Sequence, residues 1–214
     1  MLSACLEFLG LGFCVAGSFL GMVSCGLPMW KVTAFIESNI LVAQTIWDGL
    51  WMSCVVQSTG QMQCKTHDSV LALTQDLQTA RALTVISAVL GAAGLTVTIA
   101  GAQCTNCLTT ESVKAKVVNA GGVIYIISGL FAMAPLCWMA NRIIVDFYDP
   151  AVPPSMKREI GASIYIGWAA TALLLLGGTL LCCSCPENVN AYSIKYAPSK
   201  SITSNGEFDK KHYV

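Results

Sequence analysis

Cys54 and Cys64 are the residues whose type and spacing most directly specify a reaction, the oxidation of one thiol pair to a disulfide. They lie in a segment, residues 28–80, that is more polar than the two long apolar runs it separates and holds no other cysteine. An isolated pair persists as cystine only in an oxidising compartment, so the segment reads as an ectodomain loop closed by one bridge. A second group has different chemistry. Cys104 and Cys107, then Cys182, Cys183 and Cys185, gather at the ends of apolar runs on the opposite face. They lack a companion histidine, which argues against zinc. Their place against lipid headgroups points to S-palmitoylation of Cys104, Cys107, Cys182 and Cys183, with plain free thiols as the other reading. Only His67 and His212 are present, and there is no nucleophile with its base and orienter and no phosphate-cradling glycine loop. The chain therefore reads as a non-enzyme without cofactor or metal.

The elements that position these residues are membrane spans. Apolar residues make up 55% of the chain and charged ones 11%, and the mean hydropathy is +0.63; a soluble domain carries about 25% charge. Uncharged runs at 8–27, 82–102, 117–140 and 160–181 each supply the ~20 residues needed to cross a hydrocarbon core. The expected fold is an α-helical membrane protein with a β ectodomain: a left-handed four-helix transmembrane bundle carrying a small extracellular antiparallel sheet. Between the spans lie an N-terminus (1–7), a first outer loop (28–81), an inner loop (103–116), a second outer loop (141–159) and a polar, disordered tail (182–214). Lys and Arg divide six and six between the two faces, so the positive-inside rule is silent. The cysteine chemistry decides instead and makes both termini cytoplasmic. The first span lacks a basic start and reads as an uncleaved anchor.

The span interiors hold no ionisable residue, as a pump or ion carrier would need, and the zero net charge excludes a nucleic-acid footprint. Small residues fill them instead: Gly17 and Gly21, Gly91 and Gly94, Gly121 and Gly122, Gly177 and Gly178. These positions let helices approach closely, which favours packing over a pore. Pro135 should bend the third span near its outer end.

The first outer loop reads as four short strands: Val32–Ile36, Ile40–Trp47, Leu50–Gln57 and Gly60–Thr66. A three-residue turn at Ser58-Thr59-Gly60, with Gly60 left-handed, pairs Gln57 with Gln61, Val56 with Met62 and Cys54 with Cys64. Closing that loop contributes roughly 2.5–3 kcal/mol in the chain-entropy view. Asp68 or Ser69 can cap a short helix through Val70, Leu71, Leu73 and Leu77. In the second outer loop, Phe147 and Tyr148 precede the rigid turns at Asp149-Pro150 and Pro153-Pro154 and offer contact area for a partner.

Trp30, then Gly49-Leu50-Trp51, then Cys54 and Cys64, ahead of Arg81 at the mouth of the second span, resemble the motif of the claudins, tetraspan proteins of tight junctions. Further likeness, to a barrier-forming member, lies at Gly101-Ala102-Gln103-Cys104, Phe147-Tyr148-Asp149-Pro150, Tyr165–Leu174 and Asp209-Lys210-Lys211. The resemblance implies a plasma-membrane protein of tight junctions that seals the space between cells. Its partners would be other claudins in the same and in opposing membranes, as homo- or hetero-oligomers, together with membrane lipid. On that resemblance Val70 enters a neighbour's pocket of Phe147, Tyr148 and Ile160, and the Phe147-Tyr148-Asp149-Pro150 segment meets the opposing cell. The motif's tryptophans would anchor the sheet at the outer leaflet, where tryptophan is also expected on physical grounds. The C-terminal Tyr213-Val214 would dock to PDZ scaffolds by strand addition. The runner-up is a charge-selective paracellular channel, with Lys65, Asp68 and Asp48 facing the lumen. Asp149-Pro150-Ala151-Val152-Pro153 departs from the Asn-Pro-Leu-Val-Pro of toxin-binding members, which argues against enterotoxin binding. Connexins and tetraspanins are disfavoured by the cysteine counts of the two outer loops.

Overall fold

Four helices long and apolar enough to cross a membrane form the body of the protein: α1 (Leu2–Gly26), α2 (Gln75–Gly101), α3 (Glu111–Tyr148) and α4 (Ala162–Cys183). The computed structural model describes residues 2–34, 45–57, 60–67, 73–102, 111–153 and 156–184. α1 packs along α4, α2 along α3 and α3 along α4, whereas α1 and α2 meet sparsely. Lipid offers no hydrophobic drive between helices, so close backbone approach and buried hydroxyls do the joining. A Cβ on Gly177 would lie 2.7 Å from the Gly10 carbonyl oxygen, and one on Gly178 would lie 2.8 Å from that of Gly122. Between α2 and α3, Ser87 Oγ donates to the Ser128 carbonyl (2.9 Å) and Ser128 Oγ donates back to that of Ser87 (2.8 Å). The Gly17/Gly21 pair divides its work. Gly17 meets the Ala170 carbonyl of α4, while Gly21 has nothing within 4 Å.

A five-stranded antiparallel sheet sits at one end of the bundle. Its strands are β1 (Lys31–Thr33), β2 (Thr45–Asp48), β3 (Met52–Val56), β4 (Met62–Thr66) and β5 (Arg158–Ile160), in the order β4-β3-β2-β1-β5. The expected four strands of the first loop are present, β3 and β4 shorter than expected; residues 35–44 lie outside the described part. The fifth comes from the second loop and pairs with β1 in the register Lys31↔Ile160, Val32↔Glu159 and Thr33↔Arg158. Residue 160 therefore ends a strand and does not open the fourth span.

The third helix also departs from expectation. It contains Pro135, as expected, but continues to Tyr148, so Asn141–Tyr148 is helix, where a loop was read. Ile143 joins Leu136, Met139 and Ala140 in the buried core, and Arg142 pairs with Asp76 of α2 at 3.2 Å. Those two contacts hold the extra turns, which project about 12 Å beyond residue 140 at 1.5 Å per residue. On the other side of the joint, Leu77 belongs to α2, whose N-cap is Thr74. The expected separate short helix does not include it, and residues 68–72 lie outside the described part.

Candidate functional site

The β3–β4 hairpin has the register that its turn dictates. Val56 faces Met62, Val55 faces Gln63 and Cys54 faces Cys64, and Gly60 is the one described residue with left-handed φ, at +78°. Its N–H donates to the Gln57 carbonyl at 2.9 Å and closes the turn. The two sulfurs are bonded. β4 is an outer strand of the sheet and exposed along its whole length, so the covalent link reinforces the five-residue backbone ladder that joins it to β3. We expect an impermeant maleimide to label neither Cys54 nor Cys64 on intact cells until a reductant is added; ready labelling without reductant would exclude the bridge.

The tryptophan motif forms the joint between sheet and bundle. Trp30 is 1% exposed and Leu50 is fully buried; with Ala80, Leu136, Met139, Ala140, Ile143 and Ile164 they make one apolar core. Trp30 Nε1 donates to the Ser24 carbonyl at 2.9 Å. It is thus a core residue and does not face lipid, unlike the outer-leaflet anchor expected for it. Gly49 allows the chain to pass Pro28: a Cβ there would sit 2.4 Å from the proline Cα. Arg81, in the second turn of α2, donates through Nε to the Leu50 carbonyl at 2.7 Å and holds its guanidinium 4.8 Å from the Trp51 ring centroid. That geometry is a cation–π contact which also satisfies a buried carbonyl. Trp51 is more open and donates from Nε1 to Cys25 Sγ.

β5 brings the second loop to the same joint. Gly161 N–H donates to the Trp30 carbonyl (3.0 Å), Ser163 N–H to the Met29 carbonyl (3.1 Å), and Ser24 Oγ to the Ser163 carbonyl (2.7 Å). Arg158 reaches across β1, donating to Thr33 Oγ1 at 2.7 Å and lying 3.6 Å from Asp48 Oδ2. Gly161, Ser24 and Arg158 were not singled out from sequence, because their partners stand more than a hundred residues away and no local pattern marks them.

Beside β5, a cleft of about 270 Å³ opens among Ile143, Phe147, Tyr148, Glu159, Ile160 and Tyr165. It brings Phe147, Tyr148 and Ile160 together. The Phe147 and Tyr148 rings meet edge to face at 5.4 Å, and Tyr148 is 77% exposed. Asp149 turns the chain by accepting from Ala151 N–H at 2.8 Å. Lys65 lies on exposed β4, while Asp48 is committed to Arg158. Cys182 and Cys183 end α4 outside any disulfide; Cys182 Sγ donates to the Asn119 carbonyl at 3.8 Å and Cys183 is exposed. Asp68, Val70, Cys104, Cys107, Tyr213 and Val214 lie outside the described residues.

Residues 4–181 match the PMP-22/EMP/MP20/Claudin family. The chain belongs to it. Among relatives, human Claudin-5 is 55% identical to this family member over 99% of each chain. Human Claudin-6 is 53% identical over the full length of both, and Claudin-like protein ZF-A89 of Danio rerio is 54% identical over 94% of this claudin and 97% of its own length.

Proposed function

We propose that this claudin polymerises side by side and across apposed membranes at tight junctions, sealing the space between cells against ions and small solutes. It acts as a structural adhesion protein, not an enzyme. The observation that carries the reading is the cleft of Phe147, Tyr148 and Ile160, offered on a helix end that Arg142–Asp76 and β5 hold in place. A recess walled by aromatic and aliphatic side chains and edged by Arg158 and Glu159 suits insertion of one aliphatic side chain, and Val70 of a neighbour is the proposed occupant. Phe147, Tyr148, Asp149 and Pro150 contact the opposing cell. Both termini are cytoplasmic. Tyr213-Val214 docks to PDZ scaffolds, and acyl chains on Cys104, Cys107, Cys182 and Cys183 hold the inner loop and tail to the membrane. The departure from Asn-Pro-Leu-Val-Pro at Asp149–Pro153 speaks against enterotoxin binding.

The test is expression in cells without junctional strands. Transepithelial resistance should rise, and Lys65→Asp should shift the Na⁺/Cl⁻ permeability ratio only slightly. A channel would behave otherwise: reversing a charge within a Debye length, about 8 Å, of a passing ion moves that ratio strongly. Falling resistance with ion preference inverted by that one substitution would replace the seal with a channel lined by Lys65, Asp68 and Asp48.

A further inference from the structure

The sparse meeting of α1 and α2 leaves a crevice of about 370 Å³ between them, running from Trp51 and Gly26 at the sheet end to Gly17 and Leu95. Its α1 wall covers residues 17–26 and its α2 wall residues 84–95. At 1.5 Å per residue that is about 15 Å, the depth of one leaflet of a ~30 Å hydrocarbon core. The hydroxyls along it are mostly turned onto protein. Ser87 and Ser128 bond each other's carbonyls, and Ser24 and Thr171 donate to Ser163 and Trp168. The surface left to an occupant is apolar apart from Ser18 Oγ, which is buried without a hydrogen-bond partner. A slot of that kind gives water too few partners, and leaving it empty forfeits dispersion contacts along both helices. An apolar cavity of ~150 Å³ accommodates a benzene ring, so this volume is on the scale of a hydrocarbon chain.

A second, independent feature stands beside the mouth, in contact with the lining residue Trp51 although not itself a lining residue. Arg81 is 8% exposed, and one of its terminal nitrogens is buried without a hydrogen-bond partner. The two ion pairs among the described residues belong to Arg142 and Arg158. Thr84 and Val85, one turn deeper in α2, form the upper wall of the crevice, and Trp51 both lines it and covers the Arg81 guanidinium. An apolar slot one leaflet deep, with an arginine lacking a carboxylate at its rim, matches a lipid that carries an acyl chain and an anionic group. We propose that a phospholipid of the sheet-side leaflet lays one acyl chain in the α1–α2 crevice and its phosphate against the Arg81 guanidinium beside Trp51. A sterol has no phosphate, and a free phosphate has no chain. The site stands independently of the sealing role.

The test uses the full chain in nanodiscs of phosphatidylcholine doped with a phosphatidylcholine bearing a photoactivatable acyl chain, with adducts mapped by mass spectrometry. Adducts should concentrate on crevice residues such as Ser18, Ala88 and Ala92. Gly21→Leu should lower them at least fivefold, because Gly21 lines the crevice and has nothing within 4 Å that a side chain would disturb. Gly12→Leu, equally unobstructed but outside the crevice, should leave them unchanged. A chain-matched diacylglycerol probe, which lacks the phosphate, should label at least fivefold less. Even labelling of lipid-facing positions such as Phe8 and Phe19, insensitivity to Gly21→Leu, equal labelling by the diacylglycerol, or preferential capture of a photoactivatable sterol would each overturn the proposal. If Gly21→Leu does not fold, as read by thermal unfolding in detergent, the wild-type adduct map and the diacylglycerol comparison still decide.

Discussion

Gly161→Ala is expected to remove the protein from the cell surface. The backbone there is ordinary, with φ −83° and ψ 164°, so the effect comes from space alone. A Cβ at Gly161 would lie 1.9 Å from the Met29 carbonyl oxygen and 2.6 Å from its carbon. Neither atom belongs to a side chain that could rotate away. Admitting the methyl forces the α1–β1 connection off the start of α4 and breaks the bonds from Gly161 to Trp30 and from Ser163 to Met29. Overpacking costs 1–3 kcal/mol even where side chains can adjust; against rigid backbone about 3 kcal/mol or more is expected. Surface biotinylation should find the variant retained inside the cell, and thermal unfolding in detergent should show a large drop in midpoint. Gly12→Ala, with open space around it, serves as the control. Wild-type surface levels for Gly161→Ala would mean that the joint is not rigid.

Substitution of Trp30 should produce the second large effect, and its pattern separates a core role from a membrane-interface role. Truncating a buried Trp to Ala removes its packing and costs about 3–5 kcal/mol. Trp30→Phe keeps most of the ring but leaves the Ser24 carbonyl without its Nε1–H donor, for about 1–3 kcal/mol. Trp30→Tyr is the discriminating variant. An aromatic belt accepts Tyr as readily as Trp, whereas a core position that is 1% exposed must bury a hydroxyl and should tolerate Tyr no better than Phe. Unfolding midpoints in the order wild type, Phe, Tyr, Ala are expected. A Tyr variant as stable as the wild type would return Trp30 to the lipid surface.

The parts of this architecture that were legible in the sequence are those governed by local rules. Four apolar runs announce four helices because the bilayer demands length and low charge. The hairpin register follows from a glycine at the left-handed turn position and from two cysteines that fall opposite each other. What was not legible depends on distant partners. Arg158-Glu159-Ile160 has no strand signature of its own and becomes one only by pairing with Lys31–Thr33. The polar pair Asn141-Arg142 looks like the end of a span, yet α3 continues because Arg142 finds Asp76 and Ile143 finds the core. Trp30 was expected at the lipid boundary because tryptophan is common there; its burial follows from an acceptor supplied by α1, the Ser24 carbonyl, and from a packing shell supplied mainly by α3 and α4. For the candidate site, Phe147, Tyr148 and Ile160 were named through the family resemblance, and no local pattern announced the helix end that presents the two aromatics.

The pairing of β1 with β5 also bears on how the chain is made. Lys31 and Ile160 are neighbours across the sheet, so ribosomal synthesis must deliver about three-quarters of the chain before that ladder can close. At about 5–20 residues per second, the interval between completing β2 at residue 48 and reaching residue 160 is on the order of 5–20 s. The hairpin and its disulfide need only residues up to 66 and can form early in that window. Throughout it, the nascent chain carries β1 with one edge open, a template for pairing with any strand in reach. Biogenesis, more than the finished molecule, is therefore the stage at which this ectodomain is exposed to misassembly.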